Sequence, residues 1–150
     1  MSIAIRDARP EDDSRLHAIH AAATMSSYGR ALPWLGPILQ DPRTLLEAVA
    51  WTIVAHDAGD VLGYAAVTAA HLENLYVDPA AQGRGVGGAL LAEVERRVRA
   101  SFDTMTLRCL FANPDARRLY ERSGYRVRDA QTIVLHGQSL DAWLMAKRLR

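Results

Sequence analysis

The sequence predicts one α/β domain of the mixed (α+β) kind, a central sheet of six to seven strands with helices on both faces. Three observations lead there. The chain has 150 residues, the length of a single domain. Segments of period-2 alternation and segments of helical period follow one another in the order β α α β β β α β α β β, which calls for a mixed sheet covered by helices. No repeat, low-complexity tract or linker interrupts the chain, so residues 1–150 read as one unit.

The elements follow in order. Ser2–Asp7 alternates Ile3 and Ile5 with polar neighbours, an edge-strand pattern. Arg9-Pro10-Glu11-Asp12-Asp13 reads as a helix start, with Pro in the first turn and acids near the positive end of the dipole. Leu16, Ile19, His20 and Ala23 continue it at helical spacing. Ser26–Gln40 holds Gly29, Pro33, Gly36 and Pro37 beside Tyr28 and Trp34, and reads as a long loop of the kind that often carries function. Pro42–Ala50 reads as a short helix. Trp51–His56 and Val61–Ala70 read as strands joined by a turn at Asp57-Ala58-Gly59-Asp60, and a break near Ala69–His71 leads to a further strand, His71–Val77, ended by Asp78-Pro79. Ala89–Ala100 is helical, with Leu90, Leu91, Val94 and Val98 on one face. Thr104–Phe111 is a strand. Asn113 caps and Pro114 opens a helix that runs through Arg122 and closes at Ser123-Gly124. Tyr125–Ala130 and Ala142–Leu149 are strands, and Gln131–Asp141 between them fits strand, loop or both.

Composition removes several function classes. Lys plus Arg is 18 and Asp plus Glu is 17, a net charge of +1, which argues against a strongly electrostatic nucleic-acid or membrane partner. The single cysteine, Cys109, rules out an intramolecular disulfide and a cysteine-rich zinc site. No apolar run approaches the roughly 18 residues of a membrane span, and Arg6 and Asp7 come too early for a signal-peptide core. A cytoplasmic protein is expected. The 17 Arg against one Lys, Lys147, read as genome composition without functional content.

The chemistry concentrates in Gly83, Gly85, Gly87 and Gly88, between a strand and a helix. Glycines let the backbone approach a ligand and turn its amides toward it, and the helix N-terminus adds positive partial charge. Arg84 supplies a full positive charge, so the expected ligand is a phosphate or pyrophosphate. A nucleotide P-loop is excluded, because Ala89-Leu90 stands where Lys and Ser or Thr are needed. Gly83-x-Gly85-x-x-Gly88 matches the dinucleotide fingerprint literally. However, Asp78–Gln82 separate it from the strand, and the next strand ends Cys109-Leu110-Phe111-Ala112 without the required acid.

Gln82-Gly83-Arg84-Gly85-Val86-Gly87 resembles the Gln/Arg-x-x-Gly-x-Gly/Ala motif of the Gcn5-related N-acetyltransferases (GNAT). Leu75-Tyr76-Val77-Asp78-Pro79 before it and Asn113-x-x-Ala116-x-x-x-Tyr120-x-x-x-Gly124-Tyr125 after it are similar to that family too, as is the element order over essentially the whole chain. The resemblance implies acetyl-coenzyme A as acyl donor, with its pyrophosphate on the amides of Gly83 to Gly88. It implies a pantetheine arm paired with the backbone of Leu75, Tyr76 and Val77, in a gap where the fourth and fifth strands, here His71–Val77 and Thr104–Phe111, run parallel and splay apart. Asn113 would meet the pantetheine amides, and Ala116 would be small enough to let the arm pass.

Acetyl transfer to an amine needs a base for the amine, donors for the oxyanion and a proton for the leaving thiolate. A free amide around Leu75–Val77 would serve the oxyanion. Tyr120 matches the family's proton donor, and a phenol with pKa of about 10 stays protonated at neutral pH. His71 and Glu73, two apart on a strand, are the candidate bases; Glu73 is favoured because a carboxylate also attracts a cationic amine, and a water chain is the alternative. Cys109 reads as a small buried hydrophobe rather than an acyl carrier. His17 and His20 have metal-like spacing but no third ligand, so no metal is expected. Tyr28, Trp34 and Trp51 are candidates for lining the acceptor pocket. The leading reading is an N-acetyltransferase acting through a ternary complex on a small-molecule or peptide amine. Acetylation of a protein Lys or N-terminus and a non-catalytic coenzyme A-binding sensor are the other two, and self-association as a homodimer is left open.

Overall fold

Seven strands make one sheet in the computed structural model, which describes residues 2–29, 32–34, 49–135 and 137–150. They are β1 (Ala4–Asp7), β2 (Trp51–Asp57), β3 (Asp60–Thr68), β4 (His71–Val77), β5 (Thr104–Leu110), β6 (Arg126–Leu135) and β7 (Gln138–Arg148), in the spatial order β1-β2-β3-β4-β5-β7-β6. Only β4 and β5 pair parallel; every other neighbouring pair is antiparallel. Among the described residues the α-helices are α1 (Asp13–Tyr28), α2 (Val86–Val98) and α3 (Pro114–Arg122). Among the described residues no helix is long and apolar enough to cross a membrane.

The central strands are apolar on both faces, as buried strands must be. Ile53, Ala55, Ala65 and Val67 pack with Leu90, Leu91, Val94 and Val98 of α2, while Val54 and Tyr64, one position out of phase, pack with Leu16 and Ile19 of α1. The two helices therefore cover opposite faces. Burying each of the four apolar α2 side chains contributes about 1.5–3 kcal/mol. Gly63 lets α2 lie close on the sheet, since a Cβ there would come 2.8 Å from the Tyr76 carbonyl and 3.2 Å from Val86.

Two expectations need correction. The first helix runs on to Tyr28, so Ser26–Tyr28 is helix rather than the start of a loop; nothing breaks the helical pattern before Gly29, and the buried Tyr28 ring anchors the last turn. Of the rest of the expected loop, residues 30, 31 and 35–40 lie outside the described residues. So does the helix expected over Pro42–Ala50, apart from Val49 and Ala50, which are not helical. Second, α2 begins at Val86 rather than Ala89, which places Gly87 and Gly88 in its first turn. Gln131–Asp141, which fitted strand, loop or both, forms the ends of the β6–β7 hairpin, paired from Arg126–Ala146 to Leu135–Gln138.

The lone lysine has a structural post. Glu95 on α2 is buried and accepts hydrogen bonds from the Tyr125 hydroxyl and the Lys147 ammonium, each at 2.8 Å. Removing one partner of such a pair costs about 3–5 kcal/mol, because it strands a buried charge. This pin fixes α2, and with it the glycine loop at its N-terminus, to the strands beyond β5.

Candidate active site

The site begins where the sheet opens. β4 and β5 pair at two positions, His71 with Thr106 and Leu72 with Leu107. Yet β4 stays paired with β3 as far as Val77, and β5 stays paired with β7 as far as Leu110. Past the second rung the two strands part, and their facing backbones have no strand partner. A cavity of about 1060 Å³ follows this opening, from the C-terminal half of α1 past β4 to the glycine loop and α3.

The ladder breaks at a bulge. Leu72 pairs with Val67 and Asn74 with Ala66, which leaves Glu73 as the extra residue. The insertion shifts the alternation by one. Leu72 packs in the main core, as do Leu75 and Val77, whereas Tyr76 packs toward α1. Bulges re-aim side chains beside active sites, and this one presents Glu73, exposed, at the fork of the two strands. His71, half-buried at the same fork, hydrogen-bonds through Nδ1 to the Thr106 hydroxyl at 2.8 Å. Burial lowers its pKa, with Arg108 adding to the effect and Glu73 opposing it, so the ring is neutral at pH 7.

Asp78 turns the chain out of β4. It accepts from Arg15 at 2.6 Å and from the Ala80 amide at 3.0 Å, which ties the approach to the glycine loop to α1. Gly83 and Gly85 have φ of +81° and +80°, a conformation that favours glycine, and Gly85 is the N-cap residue just before α2. A Cβ on Gly83, Gly85 or Gly88 would meet nothing within 4 Å. The loop is thus an open cradle of backbone in front of a helix N-terminus, which fits an anionic group such as a pyrophosphate.

On the other wall, Asn113 caps α3 as its sequence foretold, with Oδ1 accepting from the Ala116 amide at 3.1 Å. Its Nδ2 donates to the Tyr28 hydroxyl at 2.8 Å, which bridges α3 to the end of α1. Tyr120, two turns on, is buried edge-on to Tyr125 with ring centroids 6.0 Å apart. Burial raises the Tyr120 pKa, and the neighbouring Cys109, Tyr76 and Tyr28 push the same way, so the phenol keeps its proton. Cys109 is buried and its thiol is pushed up to about 11, which suits an inert packing residue.

His71, Glu73, Leu75, Tyr76, Val77, Gln82, Gly83, Gly85, Val86, Gly87, Gly88, Asn113, Ala116 and Tyr120 all line the one cavity; Arg84, exposed on the loop, does not. Of the three candidate pocket aromatics, only Tyr28 lines it. Trp51 sits on the α2 side, with the Arg97 guanidinium 5.6 Å above its ring, and Trp34 packs behind Tyr28. Sequence reasoning missed Arg108 and Thr24, and placed His20 on the helical face with Leu16 and Ile19 without giving it a role in the site. Its burial was legible in the helical spacing, but its partners were not. The His20 ring meets Tyr76 edge-on, and Nδ1 pairs with the Tyr64 hydroxyl at 3.1 Å.

His20 carries a pH prediction. Burial, aided by nearby His17, lowers its pKa to about 4, whereas the unfolded chain titrates near 6.5. The unfolded state therefore binds the proton first. Stability is fully present above pH 6.5 and falls as the pH drops toward 4, by up to about 1.4 kcal/mol per pH unit. Denaturant titrations from pH 7 to pH 4 should show this slope, and His20→Gln should flatten it.

Comparison with known proteins follows the same outline. The family model described as an acetyltransferase (GNAT) domain matches residues 49–127. Blasticidin-S acetyltransferase of Streptomyces morookaense is 30% identical over 92 residues, which cover 61% of this chain and 66% of that protein, so the chain spans about two thirds of this relative's length. A GCN5-related N-acetyltransferase from Rhodopseudomonas palustris superposes with a TM-score of 0.83 at 24% identity, over 99% of this chain and 96% of that one. The paiA N-acetyltransferase of Thermoplasma acidophilum, solved in complex with coenzyme A, superposes with a TM-score of 0.80 at 19% identity, over 99% of each chain. These structural likenesses establish the fold.

Proposed function

The chain belongs to the acetyltransferase (GNAT) family, and from that premise we propose that it moves the acetyl group of acetyl-coenzyme A directly to the primary amine of a small molecule or peptide, within a ternary complex. One observation carries this reading: the parallel strands that part after two rungs lead straight to a glycine cradle at a helix start. An extended amide-bearing arm fits the first feature and a pyrophosphate fits the second. The thioester, when bound, supplies an activated acetyl group. Gly83 to Gly88 would hold its pyrophosphate, Leu75, Tyr76 and Val77 its arm, and Asn113 and Ala116 the other side of that arm.

The remaining work falls to this chain's side chains. Glu73, at the bulge, takes the proton from the incoming ammonium, with neutral His71 beside it as a second acceptor. Tyr120, kept protonated by burial, gives its proton to the departing sulfur. Unpaired amides in the open stretch of β4 steady the oxygen that gains charge. The test of this reading is thiol release from acetyl-coenzyme A with a panel of amines, amino acids and peptides; no release with any acceptor would sink it.

Glu73→Gln should lower turnover at neutral pH by about 10²-fold, within the usual range for a general base. Activity should partly recover at high pH, where free amine is abundant. A pH–rate profile superimposable on the wild type would exclude Glu73 as the base.

A further inference from the structure

The cavity's acceptor end carries one charge of each sign, set on neighbouring strands. Glu73 follows Leu72 on β4 and Arg108 follows Leu107 on β5, so the two stand at the first open position of the fork, where the strands part. On β5, Met105, Leu107 and Cys109 point into the main core. Thr106, Arg108 and Leu110 therefore point to the α1 face, where Thr106 holds His71 and Leu110 packs near Tyr28. Arg108 and Glu73 both line the cavity, and among the described residues neither has an ion-pair partner. Arg108 donates through Nε to the neutral Gln131 side chain at 2.9 Å. That contact leaves the Nη1–Nη2 edge of the guanidinium for a planar, two-oxygen anion. The other charged groups on the lining, Asp115 and Arg122, sit on α3 beside the proposed coenzyme channel, and Asp115 is paired with Arg118.

We propose that the acceptor is a zwitterion of the α-amino-acid type, whose carboxylate is bound by Arg108 and whose ammonium lies toward Glu73 and His71. The inference rests on the acetyl-transfer reading and names its substrate class. Both charges act on the one His71 ring, Glu73 raising its pKa and Arg108 lowering it, and all three line the same cavity, so the two groups address one part of the acceptor, as the ammonium and carboxylate of an α-amino acid require. A polyamine meets a like charge at Arg108, and a plain alkylamine leaves the guanidinium without an anion. In the transfer, the ammonium first loses a proton to Glu73 or His71. A bond then forms from nitrogen to the acetyl carbon, the carbon–sulfur bond breaks, the sulfur leaves with its electron pair and takes the Tyr120 proton, and the nitrogen gives up its second proton, which restores the Tyr120 phenol. The balance is acetyl-coenzyme A plus ammonium giving N-acetyl amide, coenzyme A thiol and one released proton.

The experiment uses the full chain in two measurements. Thermal shift with acetyl-coenzyme A alone tests the donor site. Thiol release is then followed for each common amino acid beside its methyl ester and its decarboxylated amine. At least one amino acid should exceed both of its partners by about 10–100-fold in kcat/KM, the worth of a charge-assisted pair. Arg108→Gln should collapse that preference, chiefly through KM of the amino acid, and Arg108→Lys should restore part of it. Esters and amines turned over as well as the amino acids would overturn the inference and leave acetyl transfer standing. So would an Arg108→Gln variant that weakens all three acceptor types equally, or a donor-binding protein that turns over no amino acid. Neither thermal shift nor thiol release would overturn the acetyl-transfer reading, and this inference with it.

Discussion

Gly85→Glu should abolish coenzyme binding. Gly85 is the N-cap of α2, with φ of +80°, and a Cβ there enters open space. A glutamate side chain would project in front of the helix's first amides, where its carboxylate is itself stabilised by the helix dipole. It would therefore occupy the place proposed for pyrophosphate and repel its charge. The backbone strain of a non-glycine residue in this conformation is about 1–2 kcal/mol, too little to unfold a domain of ordinary stability. Gly85→Ala carries the same strain without the charge and serves as the control. With acetyl-coenzyme A at about 100 times Kd, the wild type gains about 2.7 kcal/mol, a rise in Tm of roughly 5–10 °C for a domain of this size. Gly85→Glu should show no rise and Gly85→Ala a reduced one. An unchanged rise in Gly85→Glu would take the pyrophosphate out of this loop.

Tyr120→Phe should lower turnover by about 10²–10⁴-fold, the usual worth of general-acid assistance, and leave coenzyme affinity nearly intact. The proton matters only as the carbon–sulfur bond breaks, so its loss falls on the transition state and not on ground-state binding. Phenylalanine keeps the ring, its burial and its edge contact with Tyr125, which separates the acid from the packing role. Steady-state turnover within about twofold of the wild type, on a folded variant, would leave Tyr120 a packing residue and give the proton to water.

The best-read elements were those with chemical punctuation at both ends. β4 ends at Asp78-Pro79 and α3 runs from Asn113-Pro114 to Gly124, and both occupy the residues that the sequence indicated. The start of α2 was misplaced because glycine is a poor helix former, although in a first turn it costs little and here serves the cradle. β6 is an edge strand with a solvated face, so the polar residues of its second half fit strand and loop alike. The candidate site was legible as a set of residue types and spacings, and the fold gathers nearly all of them around one cavity. What stayed hidden depends on pairing across the chain. The bulge at Glu73 is a mismatch between two strands and has no local signal. The Asn113–Tyr28 hydrogen bond joins residues 85 apart. Lys147 passed for compositional background because its partner Glu95 lies 52 residues away.

The unpaired stretch of β4 has an evolutionary consequence. An open strand edge offers amide and carbonyl groups, and every residue except proline carries both. Recognition through such an edge is blind to side-chain identity. Substitutions at Leu75, Tyr76 and Val77 can drift as far as the packing on either face allows, and the hydrogen-bonding pattern presented to a ligand stays the same. Proline alone deletes a donor from it.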